Sequence, residues 1–306
     1  ITEFLSRLGN RLLSRNLGIG GKRMILSGKE LSASIKAELA QQVKGFPEKY
    51  GRVPHLVVVL IGNDPASESY VAGKAKASAL VGIKNTTIRR PVTISEDELL
   101  GLIAELNADD GVDGILVQLP LPEHISESKI VAAIAQEKDV DGFHPLNLAA
   151  LYQNRPCTLP CTPKGIIRML KAAGVSIEGK RAVVVGRSNI VGMPVARLLM
   201  NENATVTIAH SHTVDLPSIT REAEILVVAT GHPHLVTEDM VTEGVVVIDV
   251  GISRNPETGK LVGDVDFDNV APKASVITPV PGGVGPMTIC SLMENTVECF
   301  LNRMER

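Results

Sequence analysis

Residues 181–199 read RAVVVGRSNIVGMPVARLL, and this stretch decides the fold. An apolar, β-branched run ends at Gly186, and a short loop then leads to Gly192 and a helical pattern of apolar residues. The order of strand, glycine turn and helix directs backbone N–H groups towards a phosphate, as in dinucleotide-binding domains. The loop lacks the GxGxxG spacing of the general fingerprint. The alternative interpretation is that Gly186 simply ends a strand.

Buried strands and capped helices alternate on both sides of this stretch. Apolar runs predict strands at Leu56–Ile61, Gly114–Leu119, Ala182–Val185, Thr205–Ala209, Ile225–Ala229 and Val245–Val250. Cap residues and apolar repeats predict helices from Ser27, Ser67, Ser95 and Thr162, and a last one over Met287–Met304. Such alternation implies parallel sheets with right-handed crossovers. We therefore predict an α/β protein of two domains, with a boundary near residues 150–162.

Composition narrows the range of functions. The chain has 306 residues, of which 44% are hydrophobic and 21% charged, enough for two globular domains. Aromatic residues make up only 3%, there is no Trp, and the net charge is −3, so a nucleic-acid partner is not expected. No apolar run approaches the roughly 20 residues of a membrane span. The four cysteines contain no CxxC, which favours reduced thiols and a cytoplasmic protein.

Residues 1–23 are set apart by their charge. They carry five basic residues against a single acid, and Leu5, Leu8 and Leu12 recur at helical spacing. A transit peptide has this character. We favour the plainer interpretation of an extension upstream of Met24, and we place the segment outside the fold.

The strand after the glycine loop indicates which cofactor is bound. An NAD site usually has an acid near the end of that strand, where it accepts from the ribose hydroxyls. Here the strand ends in His210-Ser211-His212, and Arg187 stands in the glycine loop. Arginine can bind a phosphate with two parallel hydrogen bonds, whereas an acid would repel it. The sequence therefore favours NADP. Paired histidines also bind metals, but no third ligand is near, so we expect no metal site.

Three polar positions are candidates for the chemistry. Tyr70 and Lys74 lie four residues apart on one predicted helix and so share a face, although such a pair is more often a solvated helix surface. Gln118 lies in an apolar strand, where it serves either packing or a ligand site at the strand end. Asp139 and Asp141 follow in KDVDG, which is either a functional segment or an acidic turn.

A rigid loop precedes the last helix. Residues 278–288 read TPVPGGVGPMT, with three glycines and three prolines. Glycine lets a ligand approach the backbone closely, and proline stiffens the chain. The loop is either a ligand-binding segment or an elaborate connector.

Together these segments resemble one family, the bifunctional bacterial type of methylenetetrahydrofolate dehydrogenase/methenyltetrahydrofolate cyclohydrolase. The resemblance extends from Met24 to the C-terminus. The matching stretches are SESYVAGKAKA, DGILVQLPLP, KDVDGFHPLN, PCTPKGI, VVGRSNIVGMP, VVIDVGISR, VGDVDF and TPVPGGVGPMT.

The resemblance implies a fold and two reactions. It implies two domains around a cleft: a folate-binding catalytic domain of residues 24–155 with the C-terminal helix 287–306, and a Rossmann-type NADP domain of residues 156–286. Hydride passes from 5,10-methylenetetrahydrofolate to NADP⁺, and water then converts the methenyl product into 10-formyltetrahydrofolate. The family resemblance also implies a homodimer.

The resemblance further implies individual roles. Lys74 matches the catalytic lysine, Tyr70 the partner that packs on the folate, and Gln118 the glutamine that contacts the lysine. Asp141 matches the acid that holds the pterin ring. The implied cofactor contacts are Gly186, Arg187, Ser188, Ser211 and Ile252, and the implied substrate-side loop is Pro281, Gly282, Gly283, Val284 and Gly285.

Three alternatives stay open at this point. A shikimate-type NADP dehydrogenase also uses a lysine and an aspartate, but is not known to combine PGGVGPMT with VQLPLP. A non-catalytic NADP-binding regulator is disfavoured by the intact polar set around Lys74. A dehydrogenase without hydrolase activity is disfavoured by the presence of both Lys74 and Gln118.

Overall fold

A computed structural model of the chain describes residues 23–256 and 258–305. The proposed extension, residues 1–23, lies outside the described residues except for Arg23. The chain forms two compact units. The first, here called the three-stranded unit, comprises residues 33–161 and 289–306. The second, the six-stranded unit, comprises the chain up to Ser32 and residues 162–288.

Each unit is built on a parallel sheet. In the three-stranded unit β2 (His55–Ile61) pairs with β3 (Lys84–Arg90) on one side and β4 (Gly114–Val117) on the other. The strands of the six-stranded unit are β1 (Met24–Ile25), β5 (Arg181–Val185), β6 (Thr205–Ala209), β7 (Ile225–Val228), β8 (Val246–Asp249) and β11 (Val276–Ile277). Their order is β1-β11-β8-β7-β5-β6. A separate antiparallel pair joins β9 (Ser253–Arg254) to β10 (Leu261–Val262).

Helices connect these strands. The α-helices are Gly28–Lys44, Phe46–Tyr50, Pro65–Val81, Glu96–Ala108, Glu127–Ala133, Pro145–Tyr152, Cys161–Ala172, Gly192–Asn201, Leu216–Arg221, Phe267–Val270 and Val284–Met304. Short 3₁₀ turns lie at Gln136–Lys138 and Glu238–Met240. Among the described residues, no helix is long and apolar enough to cross a membrane.

Local signals explain where the helices begin and end. Ser95 and Glu98 form the predicted capping box, in which each side chain accepts from the other residue's backbone N–H. Asp64 caps the helix Pro65–Val81, and Gly82, with a φ of 86°, ends it in the left-handed conformation. Thr162 was predicted as the cap and Pro163 as the first helical residue, but the helix begins two residues earlier than Pro163, at Cys161.

The central strand of each sheet is apolar because both of its faces are covered. All seven residues of β2 are buried, with alternate side chains in two hydrophobic clusters on opposite faces. β7 and β8 are likewise buried throughout. Continuous apolar runs are typical of parallel strands covered on both sides. Side chains that carry chemistry are therefore expected at strand ends, in loops and on helices rather than within these central strands.

A buried ion cluster fixes the C-terminal residues of the three-stranded unit. The carboxylate of Asp113, which is fully buried, accepts two hydrogen bonds from Arg52 at 2.6 and 2.8 Å. It also accepts from the guanidinium of Arg303 at 3.0 Å and from the backbone N–H of His55 at 2.9 Å. Four donors thus satisfy one buried charge.

A buried lysine, Lys138, caps the C-terminal end of the helix Glu96–Ala108. The Lys138 ammonium donates to the carbonyls of Leu106, Asn107 and Asp109 at 3.0, 2.8 and 2.7 Å, where the last carbonyls of a helix lack partners. Burial lowers the pKa of Lys138, and the positive charge of Arg303 adds to this effect.

We expect Lys138→Met to lower the free energy of unfolding by about 2–3 kcal/mol, because the carbonyls of Leu106 and Asn107 lose their donor and that of Asp109 keeps only the N–H of Val112. Urea unfolding of the variant measures the loss. Lys129→Met is the matched control, since Lys129 is 66% exposed and only pairs with Glu96 at the surface. Equal unfolding midpoints for the two variants would contradict the stabilising role of Lys138.

Candidate active site

Lys74 and Gln118 meet in the three-stranded unit. Lys74 lies on the helix Pro65–Val81 and is only 9% exposed. Its ammonium donates to the side-chain oxygen of Gln118 at 2.9 Å. Gln118 directly follows β4, and its backbone N–H extends the ladder to Val59. The glutamine thus stands at a strand end, and its side chain orients the lysine.

Asp141 lies in a segment that Asp139 organises. The carboxylate of Asp139 accepts from the backbone N–H groups of Gly142 at 3.1 Å and His144 at 2.8 Å, and from the amide of Asn147 at 2.8 Å. These bonds make Asp139 a structural anchor for the turn. The predicted functional segment KDVDG therefore contains one anchoring acid, Asp139, and a second acid, Asp141, whose carboxyl interacts with the side chain of Cys161.

The electrostatic environment of Asp141 couples it to Lys74. Burial raises the pKa of the Asp141 carboxyl above its ordinary value. The positive charge of Lys74 acts in the opposite direction, and the negative charge of Asp139 adds to the rise. Lys74 thus contacts Gln118 directly and acts on Asp141 through its charge.

Tyr70 lies one helical turn before Lys74. Residues four apart on a helix share a face, and the tyrosine side chain is 44% exposed. An exposed ring beside a buried amine can stack on a flat heterocycle. All four residues predicted for catalysis therefore belong to the three-stranded unit.

The glycine loop of the six-stranded unit is a tight backbone turn. Gly186 has a φ of 121°, and a Cβ there would lie 2.2 Å from the carbonyl oxygen of Ala229. A Cβ on Gly192 would lie 2.2 Å from the carbonyl oxygen of Gly186. The hydroxyl of Ser188 accepts from the backbone N–H groups of Val191 and Gly192 at 3.2 and 3.3 Å. Both glycines are thus required by close backbone contacts.

We expect Gly192→Ala to raise the dissociation constant of NADP⁺ at least about tenfold, because the added methyl group displaces the loop. Calorimetric titration with NADP⁺ measures the change. Gly101→Ala is the control, since a Cβ on Gly101, inside the helix Glu96–Ala108, meets nothing within 4 Å. Unchanged affinity in a folded Gly192→Ala protein would argue against cofactor binding at this loop.

The end of β6 presents neutral or basic side chains. Ser211 and His212 are exposed, and the backbone N–H of His210 donates to the hydroxyl of Thr213 at 2.8 Å. The next acid, Asp215, accepts from the backbone N–H of Ser218 and so caps the following helix. In the part of the chain that is described, no three His, Cys, Asp or Glu side chains are arranged to hold a metal ion.

The loop Pro281–Gly285 belongs to the six-stranded unit. The carbonyl of Gly282 accepts from the backbone N–H of Lys29 at 2.9 Å. The Cδ1 atom of Ile252 lies 3.3 Å from the place of a Cβ on Gly285. This predicted substrate-side loop is therefore in contact with a predicted cofactor residue, Ile252.

The sequence interpretation missed one group of residues. Asp249 and Asp264 are buried near the carboxyl ends of β7 and β8, where ligands bind in α/β sheets. An acid that ends the apolar run VVVID was a usable signal, because such a side chain must be satisfied where it is buried.

Known proteins match this chain along most of its length. The family model described as tetrahydrofolate dehydrogenase/cyclohydrolase, catalytic domain, matches residues 26–141, and that of the NAD(P)-binding domain matches residues 160–304. Bifunctional protein FolD of Geobacillus thermodenitrificans is 57% identical over 274 residues, 90% of this chain and 96% of that protein. FolD of Streptococcus agalactiae is 52% identical over 277 residues, 90% of this chain and 97% of its own length.

Solved structures agree with these matches. The bifunctional FolD dehydrogenase/cyclohydrolase of Campylobacter jejuni has a TM-score of 0.90 at 51% identity, covering 92% of this chain and 100% of that one. The Trypanosoma brucei FolD, solved with NADP cofactor and an inhibitor, has a TM-score of 0.88 at 39% identity, covering 92% and 98%.

These matches decide between the alternatives left open by the sequence. Both halves of the chain match the two domains of a single family, which leaves no support for a shikimate-type enzyme. The predicted α/β fold of two domains and the predicted pair of activities, dehydrogenase and cyclohydrolase, are confirmed. With both domains matched and relatives above 50% identity along nine-tenths of its length, this chain belongs to the tetrahydrofolate dehydrogenase/cyclohydrolase family.

Proposed function

We propose that this chain oxidises 5,10-methylenetetrahydrofolate with NADP⁺ and hydrolyses the resulting methenyl cation to 10-formyltetrahydrofolate. The observation that carries the proposal is the hydrogen bond between Lys74 and Gln118, which places a buried amine at a strand end in the unit that matches the family's catalytic domain. The first reaction yields NADPH, and the second consumes water and releases a proton.

The six-stranded unit supplies the cofactor site. Gly186 and Gly192 leave no room for side chains, which lets a pyrophosphate approach the backbone. Arg187, Ser188 and Ser211 are exposed and can donate to phosphate oxygens. The Trypanosoma brucei relative, solved with NADP, supports the choice of NADP over NAD. When bound, NADP⁺ supplies the hydride acceptor.

The three-stranded unit supplies the folate site. Tyr70 stacks on the pterin, and the Asp141 carboxyl holds its polar edge by hydrogen bonds. Gln118 keeps the Lys74 amine in place by accepting one of its hydrogen bonds. The remaining hydrogens of the Lys74 amine face the substrate. Lys74 transfers a proton during hydrolysis, either from the attacking water or to the departing nitrogen.

A paired assay on the purified protein tests the function. Methylenetetrahydrofolate is supplied with NADP⁺ and, separately, with NAD⁺, and NADPH, the methenyl product and the formyl product are followed. We expect reduction with NADP⁺ and loss of the methenyl compound faster than its spontaneous hydrolysis. Reduction of NADP⁺ without enzymic hydrolysis would contradict the role proposed for Lys74. If neither NADP⁺ nor NAD⁺ is reduced, the proposal is overturned.

We further propose a cytoplasmic homodimer. Among the described residues all four cysteines are free thiols, which suits a reducing compartment. The dimer rests on the family resemblance, and sedimentation equilibrium tests it. A mass close to 32.6 kDa, that of one chain, would contradict it.

A further inference from the structure

Two buried carboxyl groups lie close together in the six-stranded unit. Asp249 is the last residue of β8 and is 3% exposed, and Asp264 follows β10 and is fully buried. Neither is among the residues assigned above to the cofactor or to folate. A buried carboxyl is costly unless hydrogen bonds satisfy it or it keeps its proton. The pair therefore requires a structural or functional reason.

Asp264 holds the chain that follows β7. Its Oδ2 atom accepts from the backbone N–H of Thr230 at 2.6 Å, from the hydroxyl of Thr230 at 3.0 Å and from the backbone N–H of Gly231 at 3.0 Å. Its Oδ1 atom is buried and has no hydrogen-bond partner among the described residues. Three donors on a single oxygen fix the direction in which the chain leaves β7.

Asp249 holds the chain that follows β8. Its Oδ1 accepts from the backbone N–H groups of Gly251 at 3.1 Å and Asp264 at 3.0 Å, and its Oδ2 accepts from that of Val265 at 3.0 Å. Its own backbone N–H donates to the hydroxyl of Thr278, next to β11, at 2.8 Å. One residue thus connects the ends of β8 and β11 with the segment that follows β10.

Each carboxyl also packs against a glycine. A Cβ on Gly251 would lie 2.0 Å from Oδ1 of Asp264, and a Cβ on Gly263 would lie 1.8 Å from Oδ2 of Asp249. No side chain fits at either glycine, so the carboxyl groups are held at close range to the backbone. The arrangement is tightly packed rather than loosely solvated.

We propose that Asp249 and Asp264 are positioning residues for the nicotinamide cofactor, and that they hold the ends of β7 and β8. This inference rests on the proposed NADP site. The segments they hold border that site, because Thr230 follows Ala229, on which Gly186 packs, and Gly251 precedes Ile252.

The charge of the pair follows from its surroundings. Burial raises the pKa of Asp249 to about 7, partly offset by the N–H groups of Val265 and Asp264, and the negative charge of Asp264 raises it further. Thr230, after β7, and Thr278, after β11, are the residues through which those strand ends contact Asp249 and Asp264, and neither carries a charge. The charged or titratable side chains on the flanking segments are His232, His234 and Arg254, which are exposed to solvent, and Asp266, which is partly buried.

This arrangement makes cofactor affinity depend on pH in a defined direction. With a pKa of about 7, Asp249 is protonated in about 90% of molecules at pH 6 and about 10% at pH 8. Ionisation of Asp249 adds a negative charge beside the Asp264 carboxyl in a buried site and destabilises the loops that the pair holds. The affinity for NADP⁺ scales with the fraction of molecules in which Asp249 is protonated, so raising the pH from 6 to 8 weakens binding by up to about ninefold.

Calorimetric titration with NADP⁺ at pH 6, 7 and 8 tests the proposal on wild-type protein, Asp249→Asn and Asp264→Asn. Asp268→Asn is the control, because Asp268 is exposed on the helix Phe267–Val270. The quantity compared is the ratio of the wild-type dissociation constant to that of Asp249→Asn, since the ionisation of the ligand's own phosphate cancels. We expect this ratio to rise severalfold from pH 6 to pH 8, and Asp264→Asn to bind at least about tenfold more weakly at every pH.

The outcomes separate this inference from the proposed function. A ratio that is constant with pH, or full affinity in folded Asp264→Asn, would overturn the positioning role while leaving NADP binding intact. If wild-type protein does not bind NADP⁺, the proposed function fails, and hydrogen exchange then tests the positioning alone. Faster exchange at the amides of Thr230, Gly231 and Gly251 in Asp264→Asn than in Asp268→Asn supports it, and equal exchange refutes it. Should Asp264→Asn not fold, the comparison of wild-type protein with Asp249→Asn still decides.

Discussion

Lys74→Met is expected to reduce the cyclohydrolase rate by roughly 10²–10⁴-fold, the usual contribution of a positioned acid or base. Methionine has nearly the length of lysine but cannot donate to Gln118 or transfer a proton. The helix Pro65–Val81 keeps its remaining buried residues, so the protein should fold. Binding of NADP⁺ should be unchanged, because its proposed site is built from residues of the six-stranded unit.

Three measurements on this variant separate chemistry from structure. Decay of the methenyl compound gives the hydrolase rate, calorimetry gives NADP⁺ affinity, and carbon-13 NMR follows the Asp141 carboxyl. Loss of the Lys74 charge should raise the pKa of Asp141 further, because that charge opposes the effect of burial. Lys76→Met is the control, since Lys76 is exposed on the same helix. Full hydrolase activity in Lys74→Met would disprove the proposed role.

Asp113→Ala is expected to lower the free energy of unfolding by about 3–5 kcal/mol, the typical cost of breaking a buried ion pair. The substitution leaves Arg52, Arg303 and the backbone N–H of His55 without their shared acceptor. Arg303 is only 14% exposed and so keeps a poorly solvated charge. Urea unfolding measures the loss.

Asp110→Ala provides the matched comparison for this cluster. Asp110 also pairs with Arg303, at 3.3 Å, but its side chain is fully exposed, and surface pairs contribute about 0–1 kcal/mol. The two aspartates thus share a partner and differ in burial. If both variants lost the same small amount of stability, burial would not be the reason that the cluster stabilises the unit.

The sequence predicted best those elements whose signal is local. The apolar runs around Val58 and Val183 gave strands to within one residue, and Ser95 with Glu98 gave a helix start. β3 was missed because it lies at an edge and its sequence, KNTTIRR, is polar. Charged edge strands avoid unwanted pairing and therefore lack an apolar pattern.

Features that depend on distant residues could not be predicted locally. Met24 and Ile25 pair with Val276 and Ile277, so the first strand joins the six-stranded sheet, whereas the sequence interpretation placed Met24 in the first domain. A two-residue strand carries too little pattern to reveal its partner. The hydrogen bond between Lys74 and Gln118 joins residues 44 apart, and family resemblance rather than spacing predicted it.

The pairing of Arg303 with Asp113 has a consequence for biosynthesis. The two residues are 190 positions apart, and residues 289–306 belong to the same compact unit as residues 33–161. At about 5–20 residues per second, a ribosome needs roughly 10–40 s to add the arginine after the aspartate. During that interval the three-stranded unit of the nascent chain is incomplete. The apolar side chains that will pack against Leu292, Val297 and Phe300 remain exposed. Chaperones that bind exposed apolar segments have this period in which to act.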